Sequence, residues 1–582
     1  VILLFGIAFY LAVLALPLIC SYIFLKRYDS AIKIALSTIV SFSGSWLLFI
    51  IFLNIKVMPI STNILRAIVL TLAYIALIYM FKMRFTKYQL SIVTIVLLLI
   101  IPIYCFNTKV FIDWDALVSW NRWAIELAQN KYYPMDTAYP ILLPSIWSLI
   151  YKLQGTTQIN ITAKISLLYP ILIVLLMTLS IYRKTSKIYA VSFLIMIYSH
   201  MITPAATSGY MDYPIAFVGC VSLLLLYLAE NNKKEYTFTI YICLAIIIAG
   251  ISIIIKQSGI FFFIFIITYI AVNIKHLSKR SLLTISISTL GSLIFISSFL
   301  IIFYKHAHNY AGNLEYLINL TKNSSFSHKI YIFLKGASVL NLIINTLILI
   351  ITPVLFIYSI YKSPKNIVKL ESLTLLAYLI GTIVWLLAFS YDYRNSVWVQ
   401  MFGITSLSIY ISKLLKNKHN TKIYQPNKSK FNLSSTSLII KATIISLIVI
   451  FISLTCNTKL YSFQEKAQAN IGGGKQTGLI ISNILSKSEC LVLYTNDQPV
   501  KYNFFLSAYQ DRILTGGWDI SDITNIVAQA KLSNCKDDNY LLLGTWTMSQ
   551  NNNHKLIDTL IINKKLIPTT SELTGLYRIQ RN

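Results

Sequence analysis

A polytopic α-helical membrane protein with about fourteen spans and a small α/β domain after them is the fold class this sequence predicts. Three observations carry that reading. Only 12% of the 582 residues are charged, against 56% hydrophobic, about half the charged share of an ordinary soluble chain. The mean hydropathy is +0.67. Apolar runs of roughly 18 residues or more, each long enough to cross a bilayer, recur along most of the length.

The runs fall near 1–25, 31–53, 64–81, 90–106, 161–182, 187–203, 213–229, 236–255, 259–274, 282–304, 338–361, 367–389, 396–414 and 437–455. The first, VILLFGIAFYLAVLALPLICSYIFL, lacks the basic start and small-residue cleavage site of a secretory signal and is too long for one, so it reads as a span. The formal net charge of +29 would suggest nucleic acid in a soluble chain. Here the basic residues sit in short loops such as KRYDS, KMRFTK, RKTSK, NNKKE, KHLSKR and KSPKN, where they set topology. Nucleic-acid binding is therefore excluded, and the basic loops are expected in the cytoplasm.

That orientation puts four other segments together on the outer side: the long loop 107–160, SGYMDYP at 208–214, IKQSG at 255–259 and YDYRNS at 391–396. The loop 305–337 and everything after about 456 fall there as well. Residues 1–89 form an additional N-terminal helical region, 90–455 the core with its external loop 107–160, and 456–582 an external domain. In that last part β-rich runs (LVLYTN, RILTGG, YLLLGT) alternate with helical patterns such as ISDITNIVAQAKL, as in a small α/β domain. Cys490 and Cys535 each precede one of those strands and either pair or stay as buried thiols.

The ionisable residues of the outer side are the candidates for chemistry. FIDWDALVSWNRWA places Asp113 and Asp115 on either side of a tryptophan directly after a span. Leu117, Trp120, Ala124 and Leu127 then form a helical stripe, with Trp123 beside it, suited to headgroup depth. Capping that helix needs one aspartate, not two. A carboxylate at the lipid–water boundary is well placed to take a proton from a hydroxyl. Asp136 lies in a turn, where aspartate is common anyway. Asp212 precedes Pro214 at a helix start, where it reads equally as an N-cap. Lys256 sits between ISIII and GIFFFIFII with no acidic residue near it in sequence. A charge at membrane depth is usually functional or paired, although a lysine stem can also reach the headgroups. Arg394 has Asp392 two residues before it as an ordinary ion-pair partner. Together Lys256 and Arg394 suit a phosphate clamp. Trp120, Tyr139 and Tyr210 lie on the same stretches and are expected, with Asp136 and Asp212, to line the substrates. His200, His306, His308 and Glu315 map to the outer side without metal-site spacing, and surface or headgroup contacts are expected of them. IGGGKQTG at 471–478 lacks the strand and spacing of a phosphate loop and reads as a linker turn.

With these residues in view, the chain resembles the GT-C superfamily of membrane glycosyltransferases, and within it bacterial relatives of protein O-mannosyltransferases and lipid A aminoarabinose transferases. FIDWDALVSWNRWA matches the acidic motif of their first large external loop, and YPILLPSIWSLIY their following segment and second surface helix. GYMDYP is similar to a Tyr-x-Asp-x-Pro helix start, IKQSG to a lysine turn and YDYRN to an arginine turn. The usual Asp-Glu pair is Asp-Trp-Asp here, and Gln257 and Ser258 replace an acidic partner after the lysine.

The resemblance implies a GT-C-like helix arrangement in a bacterial inner membrane, with the active site on the periplasmic side. It implies transfer of a sugar from a polyprenyl-phosphate-linked donor to a glycan, lipid or protein hydroxyl, with inversion. Asp115 or Asp113 would be the base, and Lys256 and Arg394 would hold the donor phosphate. No nucleotide cofactor is expected. If a divalent ion is used, Asp113, Asp115 and Asp212 would be its ligands. Two rivals remain. A polysaccharide polymerase or ligase would be expected to carry an arginine-rich late loop, and a transporter or flippase would want charges at mid-span and repeated halves.

Overall fold

A computed structural model describes residues 2–54, 58–82, 94–100, 103, 111, 116–128, 139–155, 160–232, 234–306, 325–336, 338–362, 369–390, 392–419, 490–494, 513–515, 539–543, 551–563, 566–569 and 575–579. The chain divides into two compact units. One comprises Val1–Thr108, Ala138–Gly155 and Ile161–Val449, the other Lys109–Thr137, Thr156–Asn160 and Ile450–Asn582. Part of the loop 107–160, assigned to the core from the sequence, thus clusters with the C-terminal region.

The first unit is a helical bundle. Helices α1 (Ile2–Tyr10) and α2 (Leu16–Phe24) are joined through a π-helical turn at Leu11–Ala15 and followed by α3 (Ser30–Asn54) and α4 (Met58–Lys82). Nine helices among the described residues are long and apolar enough to cross a membrane. The expected runs 187–203, 259–274 and 396–414 are also helical, whereas only 94–100 of the run 90–106 is described and 437–455 lies outside the described residues. Helices suit such a chain because every backbone polar group inside lipid must be satisfied within the segment. The outward faces are apolar, as at Leu387 (69% exposed) and Ile357 (68%).

The central post is α10 (Asp212–Glu230), buried along its length from Asp212 to Ala229. It packs against α8 (Leu168–Lys184), α11 (Glu235–Ile255) and α17 (Val397–His419). The other elements of this unit are α6 (Leu142–Gln154), α7 (Asn160–Ile165), α9 (Lys187–Met201), α12 (Ile260–Asn273), α13 (Lys279–His306), α14 (Phe326–Lys335), α15 (Val339–Lys362) and α16 (Leu370–Ala388). Because α10 is central, its first residue, Asp212, is held at one end of the bundle and its last, Glu230, at the other.

Two expectations are corrected here. The segment YPILLPSIWSLIY does not form a surface helix. All 13 residues of α6 are buried, and it packs on α1 and α3. Pro144 sits in its first turn, where a missing N–H costs nothing. His200 is not a surface residue either. It is 1% exposed, and neither ring nitrogen has a hydrogen-bond partner.

In the second unit a π-helical turn at Ala116–Asn121 leads into α5 (Arg122–Ala128). Trp120, Trp123, Ala124 and Leu127 of the expected stripe are buried, and Trp120 meets Trp123 edge to face at 4.9 Å. The sheet runs β2-β1-β3-β5-β4. Strands β1 (Cys490–Tyr494), β2 (Ile513–Thr515) and β3 (Asn539–Leu543) are the three expected runs, with β1 parallel to both neighbours. The sequence reading missed α18 (Asn551–Ile562), β4 (Leu566–Pro568) and β5 (Leu576–Ile579), the last antiparallel to β3 and β4. Buried Leu541, Leu542 and Leu543 of β3 and Leu576 and Ile579 of β5 supply the apolar residues that hold the sheet. The helical pattern at 520–532, Cys535 and the turn 471–478 lie outside the described residues.

Candidate functional site

The bundle end that carries Asp212 is built from helix starts and breaks. Before α10 the chain passes a short 3-10 helix, Pro204–Thr207, and Gly209 at φ +107. Of the two roles the sequence left open for Asp212, the N-cap is not the one it takes. The cap is Met211, and Asp212 lies inside the first turn with its side chain turned to a cation. The helix macrodipole favours a carboxylate there.

Lys256 occupies an extended residue between the end of α11 and the 3-10 turn Gln257–Gly259. The turn closes tightly, with Gly259 N–H donating to the Lys256 carbonyl at 2.9 Å. A Cβ on Gly259 would overlap the Ser252 carbonyl group of α11, so only glycine lets the chain reverse this close to the helix. The break lifts Lys256 out of helical register and leaves its ammonium group at the head of the bundle.

A second break, the 3-10 turn Tyr393–Ser396 before α17, supplies the rest. Asp392 caps it, accepting from Arg394 N–H at 3.0 Å, and takes the guanidinium Nε at 2.7 Å with the same carboxylate. The ordinary ion pair weighed for Arg394 therefore forms. Aromatic packing brings the two breaks together. Phe261, just past the first turn, stacks flat on Trp398, just past the second, with ring centroids 4.1 Å apart, and Phe262 stacks on Phe402 at 5.0 Å. Such pairs contribute about 0.5–1.5 kcal/mol each beyond the area they bury.

The result is a compact polar array. The Lys256 ammonium donates to Asp212 Oδ1 at 2.5 Å and to Asn395 Oδ1 at 3.2 Å. Two of its three protons are thereby committed. Its nitrogen lies 5.9 Å from the centre of the Tyr139 ring. The Arg394 guanidinium carbon lies over the Tyr210 ring, 3.4 Å from its centre. All four charged side chains are largely enclosed, at 14% and 8% exposure for Lys256 and Asp212 and 15% and 18% for Arg394 and Asp392. Two cations face two carboxylates, so the pairs cancel locally and an entering anion must compete with Asp212 and Asp392.

Five of the residues picked from the sequence, Tyr139, Tyr210, Asp212, Lys256 and Arg394, thus meet at one end of one unit. Trp120 belongs to the other unit. Asp113, Asp115 and Asp136 lie outside the described residues, as do His308 and Glu315. Two participants were not picked. Asn395 bonds Lys256 across 139 residues of sequence, and the Phe261–Trp398 stack sets the register of the turns. Asn395 follows Arg394 directly in the turn Tyr393–Ser396, and its place beside the picked arginine is the signal that could have found it. No group of three or more metal-ligating side chains occurs among the described residues. A cation at Asp212 would have to displace the Lys256 ammonium.

No protein-family model matches the chain, and no curated protein matches it. A crystal structure of ArnT from Cupriavidus metallidurans in the apo state is similar at a TM-score of 0.37 and 11% identity, over 84% of this chain and 97% of that one. Likeness at that level carries no residue roles across, and the functional reading rests on the side chains themselves.

Proposed function

We propose that the protein is a membrane glycosyltransferase of GT-C type that moves a sugar from a polyprenyl-phosphate carrier to a hydroxyl acceptor at the outer face of the membrane. The observation that supports this best is the convergence of Lys256 and Arg394, from two separate helix breaks, on one partly enclosed rim beside Tyr139 and Tyr210. The carrier's tail lies in the bilayer, so its sugar–phosphate bond is presented at headgroup depth. The basic loops put this bundle end outside.

In the proposed reaction the acceptor oxygen attacks the anomeric carbon in line, and its proton passes to Asp115 or Asp113. The bond from that carbon to the phosphate oxygen breaks as the new one forms, which inverts the centre. The electron pair leaves with the polyprenyl phosphate, whose growing charge is met by Lys256 and Arg394. Asp212 and Asn395 position the lysine, and Asp392 and Tyr210 position the arginine. Asp212 is thus cast as a positioning residue, since its Oδ1 already accepts from the Lys256 ammonium.

The test uses the purified protein in proteoliposomes with polyprenyl-phosphate sugars and a hydroxyl acceptor. Asp115→Asn or Asp113→Asn is expected to insert normally and lose about 10²–10⁴ in turnover. Normal activity in both variants would move the base elsewhere. Donor use that is indifferent to Lys256→Ala and Arg394→Ala would remove the clamp.

A further inference from the structure

The same bundle end holds a second buried cluster that the reaction above does not use. Asn341 and Asn345 come from the first turns of α15, Tyr378 and Trp385 from α16, and Gln400 from α17. Each is at most 1% exposed. Both amide atoms of Asn341, Oδ1 of Asn345, Oε1 of Gln400, the Tyr378 hydroxyl and the Trp385 indole N–H have no hydrogen-bond partner. Buried polar groups are nearly always paired with protein, water or a ligand, so a set of this kind offers its free donors and acceptors to a polar ligand. The cluster adjoins the phosphate rim, because Gln400 Nε2 donates to Ser396 Oγ at 2.9 Å in the turn that carries Arg394 and Asn395.

What fills it now is a piece of the chain. Phe333 is the buried residue of α14, whereas Phe326 and Tyr331 of that helix are 70% and 52% exposed. The Phe333 ring lies 5.2 Å from that of Trp385 and 6.3 Å from that of Tyr378. Its carbonyl accepts from Asn345 and Gln400, both at 3.3 Å, and Leu334 O accepts from Asn345 at 3.2 Å. Just beyond, Gly336 at φ +51 turns the chain against Asn341, where a Cβ would come within 3.1 Å of the Asn341 Cβ. Asn345 and Gln400 therefore spend their donors while their oxygens stay unpaired, and Asn341 pairs neither atom.

The chemistry of the lining selects its ligand. Carboxamides offer a donor and an acceptor side by side, which suits neighbouring hydroxyls, and an indole N–H and a phenol add one contact each. The flat Phe333 ring against Trp385 and Tyr378 takes the place that the C–H face of a sugar ring would take. None of the five side chains is ionised, so the cluster itself offers a charged sugar no counter-ion. We propose that this cluster is a subsite for the neutral sugar ring of the lipid-linked substrate, with Phe333 as its removable plug. The inference rests on the polyprenyl-phosphate reading given above and adds to it the class of sugar.

The test measures binding to the full-length protein in nanodiscs of bare polyprenyl phosphate, of polyprenyl phosphate carrying an uncharged hexose, and of the carrier with an amino sugar or uronic acid. The wild type is expected to prefer the uncharged hexose lipid over both charged ones. Asn341→Leu is expected to weaken the hexose lipid about tenfold, the worth of one or two lost hydrogen bonds, and to leave the bare carrier unchanged. Its melting temperature should not fall, because the change removes an unpaired buried group. Phe333→Ala is expected to tighten the hexose lipid even if the fold is less stable. Equal loss for bare carrier and hexose lipid, or a lower melting temperature with unaltered binding, would make Asn341 structural and overturn the subsite. Lys256→Ala losing the bare carrier while Asn341→Leu is silent would overturn the subsite alone. A wild type that binds neither carrier would overturn both readings.

Discussion

The two ends of the bundle handle charge in opposite ways. At the end of the basic loops, Asp29 caps α3 through Ile32 N–H at 2.9 Å, accepts from the Tyr241 hydroxyl and pairs with Lys184 at 3.2 Å. Glu371, in the first turn of α16, pairs with Lys413 of α17. In both pairs the cation stays in reach of solvent, 39% exposed for Lys184 and 49% for Lys413. These contacts tie one helix end to the next and ask little desolvation of the lysines. At the other end both cations are enclosed, held by residues from three separate breaks in the helices. Burying an ion pair costs several kcal/mol of desolvation that mutual attraction need not return. The carboxylates of the basic-loop end are enclosed too, Asp29 at 12% and Glu371 at 2% exposure, so the contrast between these pairs lies in their cations. Enclosed cations of this kind suit the proposed phosphate-holding role, in which positive charge is kept out of bulk water.

The largest expected effect tests that contrast directly. Lys256→Ala or Arg394→Ala should lower turnover of a lipid-phosphate sugar by about 10²–10³, the usual loss when one donor to a developing anion is removed. Lys413→Ala should leave turnover within about threefold, because its charge only staples α17 to α16. Equal losses at both ends, measured in the same proteoliposomes, would abolish the distinction.

Stability separates the ends next. Asp212→Ala strands the Lys256 ammonium in an enclosed rim and is expected to cost about 3–5 kcal/mol. The double variant Asp212→Leu with Lys256→Met should recover most of the melting temperature and none of the activity. Recovery of activity would mean that the pair is a staple like Glu371–Lys413 after all.

Much of the site could be read in the sequence because membrane topology sorts residues by side. Lys256 and Arg394 were found from their turns and from the alternation of basic loops, with no knowledge of contacts. The pairing was not legible. Asp212 and Lys256 are 44 residues apart, Lys256 and Asn395 139, and nothing local encodes such meetings. The absence of an acidic neighbour made Lys256 look isolated when its carboxylate comes from another helix. The helix α6 was misread for a different reason. LLPSIWSLIYKLQ carries Ser145, Ser148 and Lys152 along one face, the amphipathic pattern of a surface helix, and its position in an external loop suggested the same, yet the bundle buries the polar face as well. In the C-terminal region LIP and LYRI are too short, and in one case carry a proline, to register as strands, although β5 joins the two halves of the sheet.

A smaller effect is expected at Gly259, where the turn rather than a charge is changed. Gly259→Ala pushes a methyl group into the Ser252 carbonyl and should cost about 1–3 kcal/mol of stability. It should also raise KM for the donor more than it lowers kcat, since Lys256 would be displaced and not removed. An unchanged KM with a lower melting temperature would confine the glycine to packing.

The smallest effect belongs to the basic-loop end. In Lys184→Ala the Asp29 carboxylate keeps the Tyr241 hydroxyl and the Ile32 N–H, so no buried charge is abandoned. Lys184 itself is 39% exposed and its pairing is screened by water and salt. The loss should therefore stay below about 1 kcal/mol, within the range of surface ion pairs, and shrink further in high salt. The melting temperature of the Asp212→Ala variant should respond to salt far less, because its partner is enclosed. A Lys184→Ala loss as large as that of Asp212→Ala, and equally indifferent to salt, would mean that Asp29 depends on its lysine as Asp212 does. The two ends would then differ only in where the chain turns.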